Sequence, residues 1–336
     1  MIDLIICTYN NAGLLDRTLA SIAEQQVPAP IEWAVCVVDN NSTDATPAVI
    51  EKYIAGGRIP GLHRIAEVRQ GLTPARLCGI RHTHGPWIAF VDDDCVLCPD
   101  WVAQAARFAH VHPRCGVFGG RVILDWEVPP PPLLRRHAMS FAASDHGPQP
   151  RQLPPSGLTS HLPGAGLVVQ RCAIEQSGWL NKQFLMGRQG KNLTAGEDVE
   201  ILVRIRRHSY EVWYTPDCVL HHQIPRQRIS VDYLARLFYG FGLAAPYLTG
   251  MMHPHSYSRF LGLYLLRIGK SMLRTARAWP RDRGAAAITW SYTRGQLTGF
   301  RSLVQSMDPG ERRLWLGCGT PSHPLPPAAG PPQSIQ

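Results

Sequence analysis

With 336 residues, 45% of them hydrophobic, the chain has the length and apolar content for one large domain with an appendage, or for two modest ones. Its formal net charge of +9 is unevenly placed: Gln223 to Arg301 holds twelve Lys and Arg against Asp232 and Asp282, a balance of +10, which leaves −1 for the rest. No nucleic-acid-binding motif or aromatic–basic interleaving accompanies that charge, and no apolar stretch reaches the roughly 18 residues of a membrane span.

The apolar run Ile2–Ile6 is too short for a secretory signal, and no basic segment precedes it. Nine cysteines at irregular spacing then point to reduced thiols and a cytoplasmic setting. Cys95 and Cys98 form a C-x-x-C, but without a second pair at metal spacing they read as two thiols on a buried loop.

In chain order, Ile2–Ile6, Trp33–Val38 and Trp87–Val91 are short apolar runs suited to buried parallel strands. Leu15, Leu19 and Ile22 recur at helical spacing between the first two. A second helix is expected from Ser42 or Thr43, and a third over Ala75–His82 with Pro74 in its first turn. The β-α-β-α-α-β order predicts an α/β fold with a mainly parallel sheet and flanking helices, whose ligands sit beyond the C-terminal strand ends. Gly116–Leu124 reads as a strand pair or bent strand, and residues 126–163, rich in proline, as an extended surface loop. Gly164–Gln170 resumes a strand, Asp198–His208 a helix, and Val212–Tyr214 and Val219–Leu220 two further short strands. Three helices follow, near Val231–Leu248, Tyr257–Arg277 and Ala285–Val304. The expected organisation is an α/β domain over 1–222, a basic helical region over 223–310 and a disordered proline-rich tail over 311–336.

The first strands end in polar residues: Cys7-Thr8-Tyr9-Asn10, Asp39-Asn40-Asn41-Ser42 and Asp92-Asp93-Asp94. Three neighbouring carboxylates repel one another, and a divalent cation relieves that cost. Hard oxygen ligands suit Mg²⁺ or Mn²⁺, which take one or two protein carboxylates and complete their shell with phosphate and water. The triplet therefore suggests a metal–diphosphate site, with a solvated acidic loop as the plain alternative.

Beyond these residues, the chain carries Gly71-Leu72-Thr73-Pro74-Ala75-Arg76, Gly164-Ala165-Gly166, Gly196-Glu197-Asp198 and Pro216-Asp217-Cys218-Val219-Leu220-His221. Together with Ile5–Asn10, Val37–Asp44 and Phe90–Asp94, these resemble, in order, the motifs of family 2 of the glycosyltransferases over roughly residues 2–230. The resemblance implies the nucleotide-sugar-binding GT-A fold and an inverting, metal-dependent transfer of a single sugar from a UDP- or GDP-sugar to an acceptor hydroxyl. It assigns Thr8, Tyr9, Asp39, Arg76, Asp92 and Asp93 to the nucleotide sugar, with Asp39 accepting from the base ring or, alternatively, capping the turn at Ser42. Asp94 and His221 become candidate metal ligands; His222 would point the opposite way, which leaves the pair ambiguous by one position. Gly164 and Glu197 fall to the acceptor, and Asp198 to the catalytic base; an acid in a first helical turn is also common for purely electrostatic reasons.

The processive synthases' Q-x-x-R-W is reduced to Gln223-Ile224-Pro225-Arg226-Gln227, which argues against processive synthesis. A looser similarity around Trp213-Tyr214 and Ile224–Ile229 points to bacterial transferases of surface and extracellular polysaccharide assembly, with a glycan or polyprenyl-linked acceptor. Two rivals stay open, an inactive sugar-nucleotide- or glycan-binding scaffold of the same fold and a related nucleotidyltransferase; the latter lacks a basic residue in Asn10-Asn11-Ala12-Gly13. Finally, Arg267, Lys270, Arg274 and Arg277 share one face of the second C-terminal helix. That pattern fits either a solvated face or a peripheral position on the inner face of the plasma membrane.

Overall fold

The computed structural model describes residues 1–155, 161–190, 192–252 and 256–316. The N-terminal half alternates β1 (Ile2–Thr8), α1 (Ala12–Ala23), β2 (Trp33–Asp39), α2 (Thr46–Gly56), β3 (His63–Ala66), α3 (Leu72–Arg81) and β4 (Trp87–Asp92). The strand β3 is an addition to the expected order, and α2 starts later than expected. A short β5 (Cys95–Leu97), α4 (Trp101–Val111) and the long β6 (Cys115–Trp126) follow. The segment expected as an open loop contains α5 (Pro132–Arg136), a 3-10 turn at Ala138–Phe141 and β7 (Arg151–Gln152). It departs from the expectation because Leu134 and Phe141 are buried, so this part of the segment packs inward. Then come β8 (Leu167–Gln170), α6 (Arg171–Gln176), α7 (Glu197–Arg207) and β9 (Glu211–Ile224).

These strands form one sheet in the order β3-β2-β1-β4-β8-β6-β9-β5, with β7 paired to β9. Strands β3, β2, β1 and β4 run parallel, and β8 enters antiparallel to β4 and β6. Both faces are covered, so the central strands β1, β2 and β4 are largely apolar rather than alternating with polar residues, whereas the edge strand β3 is only half-buried. Leu4 and Ile6 join one core with Leu15, Leu19 and Val35, while Ile5 joins the other with Val38, Ala75 and Ile80. Parallel register sets Thr8 opposite Asp39, and Cys7 opposite both Val38 and Asp92, so the three polar ends share one edge of the sheet.

The C-terminal helices are α8 (Val231–Met252), α9 (Tyr257–Ala278), α10 (Arg283–Ser306) and α11 (Pro309–Leu316). Helix α11 occupies the start of the stretch expected as a tail, anchored by the fully buried Trp315; the tail beyond it lies outside the described residues. Helices α8 and α10 approach at backbone distance. A Cβ on Gly242 would lie 2.3 Å from the Tyr292 carbonyl oxygen, and one on Gly295 would lie 2.2 Å from that of Tyr239. Helix α8 also lies against the catalytic half: a Cβ on Gly240 would meet the Leu193 carbonyl oxygen at 1.8 Å. No helix among the described residues is long and apolar enough to cross a membrane.

Candidate active site

At the polar edge of the sheet lies a cavity of about 830 Å³. Thr8 and Tyr9 from the end of β1, Arg76 from α3, Asp92 at the end of β4 with Asp93 and Asp94 just after it, Gly164, and Glu197 with Asp198 at the start of α7 all line it. The acidic triplet and Asp198, distant in sequence, thus face one space. Two further walls come from the Met139–His146 segment and from α8, through Tyr233, Leu237, Phe241, Ala244 and Leu248.

Each acid of the triplet has a different environment. Asp93 is fixed by two donors: Thr8 Oγ1 gives to Oδ2 at 2.7 Å and Asn11 Nδ2 to Oδ1 at 2.8 Å. Burial, with the neighbouring Asp94 charge, nonetheless pushes its pKa up to about 7. Asp94 is also buried, but the cationic side chains around it reverse the direction. His222 Nε2 lies 3.3 Å from Oδ1 and Arg228 Nη1 lies 2.6 Å from Oδ2, and together they hold the carboxyl below the usual range. Asp92, by contrast, has 36% of its side chain exposed and meets Arg76 Nη2 only at 3.8 Å.

The histidine expectation is corrected by one position. His222, not His221, lines the cavity, because β9 pairs His222 with Cys95 directly after the triplet and sends the adjacent side chain to the other face. The ring is held at its far end as well, with Nδ1 2.8 Å from the Phe141 carbonyl oxygen. Burial opposes its charged form, yet the Asp94 carboxylate raises its pKa above the ordinary histidine value.

Arg76, assigned to the nucleotide sugar, lines the cavity and is only 2% exposed. Its guanidinium stacks over Phe90 at 4.8 Å and reaches Glu197 Oε1 at 3.4 Å as well as Asp92. The backbone at Gly164 crowds it, since a Cβ there would lie 2.7 Å from Arg76 Nη2. Arg76 therefore ties the end of β4 to the start of α7. Glu197 remains costly to ionise: burial and the Asp198 charge outweigh Arg76 and raise its pKa to about 7, and its Oε2 has no hydrogen-bond partner among the described residues. Asp198 accepts from the Gly164 N–H at 3.0 Å through Oδ2 and from the Val199 N–H at 2.8 Å through Oδ1. Burial raises its pKa, with Arg76 and these two N–H groups working against that rise.

Asp39 is not among the residues lining the cavity. Its carboxylate is spent on Arg64, at 2.7 Å, and on the Ser42 N–H, at 3.0 Å. Arg64 stands on β3, the strand absent from the expected order. The cavity-lining residue is Asn40, which sequence reasoning passed over. Its amide fixes the 67–71 loop by donating to the carbonyls of Glu67 and Arg69 and accepting from the Gly71 N–H. Arg188 and Arg228 were also missed; they line the cavity from an irregular segment and from a single 3-10 turn at Arg226–Arg228, where no periodicity marks them. Cys95 and Cys98 are free thiols.

The donor set suits a hard divalent cation. Among the described residues no group of three or more His, Cys, Asp or Glu is arranged to hold a metal. Asp94 Oδ1 and His222 Nε2, however, are 3.3 Å apart. Adjacent ligands at about 2.1 Å from an octahedral ion lie about 3 Å from one another, so this pair has the spacing of two vertices, with phosphate and water left to supply the rest.

A mainly parallel sheet with acids and cations around a nucleotide-sized cavity at its C-terminal edge defines a nucleotide-sugar-binding fold of the GT-A type. The family model "Glycosyl transferase family 2" matches residues 3–172, and the chain belongs to that family; it is a glycosyltransferase. The chain is 25% identical over 241 residues to the succinoglycan biosynthesis protein ExoM of Rhizobium meliloti (strain 1021), covering 70% of this chain and 71% of that protein. It is 34% identical over 119 residues to the validoxylamine A glucosyltransferase of Streptomyces hygroscopicus subsp. limoneus, covering 34% of this chain but only 24% of that one. Among solved structures, the mannosyltransferase PcManGT from Pyrobaculum calidifontis in complex with GDP-Man and Mn²⁺ superposes with a TM-score of 0.54 at 17% identity, covering 91% of this chain and 88% of the other. S. aureus TarS 1-349 in complex with UDP-GlcNAc gives 0.52 at 16%, covering 92% and 93%. At such identities the likeness is one of fold.

Proposed function

We propose that the chain moves one sugar from a nucleoside-diphosphate sugar to an acceptor hydroxyl in polysaccharide assembly, with inversion at the anomeric carbon and with Mn²⁺ or Mg²⁺ as cofactor. The observation that carries this reading is the convergence of Asp92, Asp93, Asp94 and Asp198 on one cavity large enough for donor and acceptor together. Asp94 and His222 would hold the cation, which when bound supplies positive charge against the departing diphosphate. Arg188 and Arg228 line the same wall and can bind phosphate oxygens, Arg228 by leaving Asp94. Thr8, Tyr9 and Asn40 flank the nucleotide end. Asp198 is the base. Two backbone N–H groups orient its carboxylate, each oxygen keeping a free lone pair to accept the acceptor's hydroxyl proton as the oxygen attacks. Glu197, held by Arg76, positions that segment and faces the acceptor.

Donors of this chemistry are supported by the GDP-Man and UDP-GlcNAc complexes of the two structural neighbours. ExoM's place in succinoglycan biosynthesis supports a polysaccharide as the product; the proposed acceptor is a glycan or a polyprenyl-linked saccharide. The test is turnover of UDP- and GDP-sugars by purified protein with and without Mn²⁺, with the anomeric configuration of the product read by NMR. Retention of configuration, or turnover indifferent to Asp198→Asn, overturns the mechanism.

A further inference from the structure

Helix α9 has two apolar faces, and the protein covers one. Phe260, Tyr264, Ile268, Ser271 and Thr275, three or four residues apart, are buried, with Ser271 Oγ 2.7 Å from Thr293 Oγ1 of α10. On the outward side Leu265 is 55% exposed, Leu266 65%, Met272 41% and Leu273 58%, two pairs seven residues apart and hence on one stripe. Gly262, Gly269 and Ala276 are exposed with them and leave the stripe smooth. Trp279, just past the helix end, is 62% exposed.

A second exposed stripe flanks the first. Arg259, Arg267, Lys270, Arg274 and Arg277 follow one another at three- and four-residue steps after Arg267, and Arg281 and Arg283 continue the charge beyond the helix. The one acid between Ser256 and Arg283 is Asp282, and its carboxylate accepts from the Ala285 N–H as the cap of α10.

Exposed leucines in a row are costly on a free surface and mark an interaction site. A second copy of this chain would bring two such cationic rows together, and a nucleic acid would leave the leucines in water. An anionic bilayer satisfies both stripes: leucines enter the acyl boundary, arginines and lysine meet lipid phosphates, and a tryptophan sits at the headgroup level. We propose that the outward face of α9, from Arg259 to Arg283, docks on an anionic phospholipid bilayer with the helix axis in its plane. This extends the transferase reading to a location but does not depend on it, because plain phospholipid suffices as the probe.

The full chain is sedimented with vesicles of phosphatidylcholine alone and of equimolar phosphatidylcholine and phosphatidylglycerol. Binding is expected to the mixed vesicles only and to weaken with salt. Leu266→Glu/Leu273→Glu and, separately, Arg267→Gln/Lys270→Gln/Arg274→Gln should each lower the partition coefficient at least about tenfold. Both variants alter only exposed side chains, so their melting temperature and their hydrolysis of soluble donor should match the wild type. Wild-type protein that stays in the supernatant with anionic vesicles at low salt overturns the proposal, as do variants that sediment unchanged. A wild-type dimer that Leu266→Glu/Leu273→Glu turns into monomers overturns it in favour of a second copy. Vesicle binding without donor turnover leaves the docking intact and removes the transferase reading alone.

Discussion

Asp198→Asn changes one atom of the candidate base while keeping its volume. The structure sets what that atom costs. Oδ1 and Oδ2 each receive a backbone N–H, from Val199 at 2.8 Å and Gly164 at 3.0 Å, so one of these donors must face the new NH₂ group. Losing one partner costs about 1–3 kcal/mol of stability, offset in part because a carboxylate whose pKa burial raises is no longer buried. A lowering of the melting temperature by a few degrees is therefore expected, with the fold intact. The catalytic cost is larger: a general base contributes about 10²–10⁴ in rate, or about 3–5 kcal/mol at 1.36 kcal/mol per decade. Saturating donor and acceptor should show kcat falling by that factor while donor affinity, measured by calorimetry, stays within about threefold. The wild-type rate should rise with pH along a limb above the ordinary carboxylate range, because burial raises the Asp198 pKa, and the variant should lack this limb. A variant whose kcat stays within about tenfold of the wild type, or which loses donor affinity in step with rate, refutes the assignment.

His222→Ala should abolish the rise in melting temperature that Mn²⁺ gives together with a nucleoside diphosphate, whereas His221→Ala should keep it; the reverse result would return the ligand to His221. Glu197 carries a pH signature in stability. Its pKa rises from 4.5 to about 7 on folding, so its contribution is full below pH 4.5 and is lost as pH climbs through 7. Unfolding free energies from urea melts between pH 4 and pH 8 should therefore fall more steeply for the wild type than for Glu197→Gln, by on the order of 3 kcal/mol over that window; parallel curves would contradict it. Gly295→Val would drive a side chain into the Tyr239 carbonyl, where even a Cβ would sit at 2.2 Å. A loss of about 3 kcal/mol or more is expected by chemical denaturation, and a loss under about 1 kcal/mol would mean that α8 and α10 are not in backbone contact.

The strands beneath the site were legible because β1, β2 and β4 are short apolar runs ending in polar residues, which is how a sheet covered on both faces reads. The strand β3 was not, since its four residues are at best half-buried and carry His63 and Arg64. That omission propagated to Asp39, whose partner is Arg64. Strand β9 was broken in two because Thr215-Pro216-Asp217 reads as a turn. The strand instead carries these residues through a bulge opposite Gly120, where a Cβ would lie 1.8 Å from the Cys218 carbonyl oxygen. An irregularity of that kind defeats any count of alternation along the strand, so the choice between His221 and His222 awaited the register with β5. The ion pair of Asp94 with Arg228 joins residues far apart in sequence, and no local pattern announces it.

Helix α8 has one further consequence. The family match ends at residue 172, yet Leu237, Phe241, Ala244 and Leu248 close one side of the cavity. A chain cut before Val231 would keep every acid of the site and lose one wall of the cavity they line. Transplanting residues 1–230 alone would thus carry over the acids and His222 without the wall that α8 builds around them.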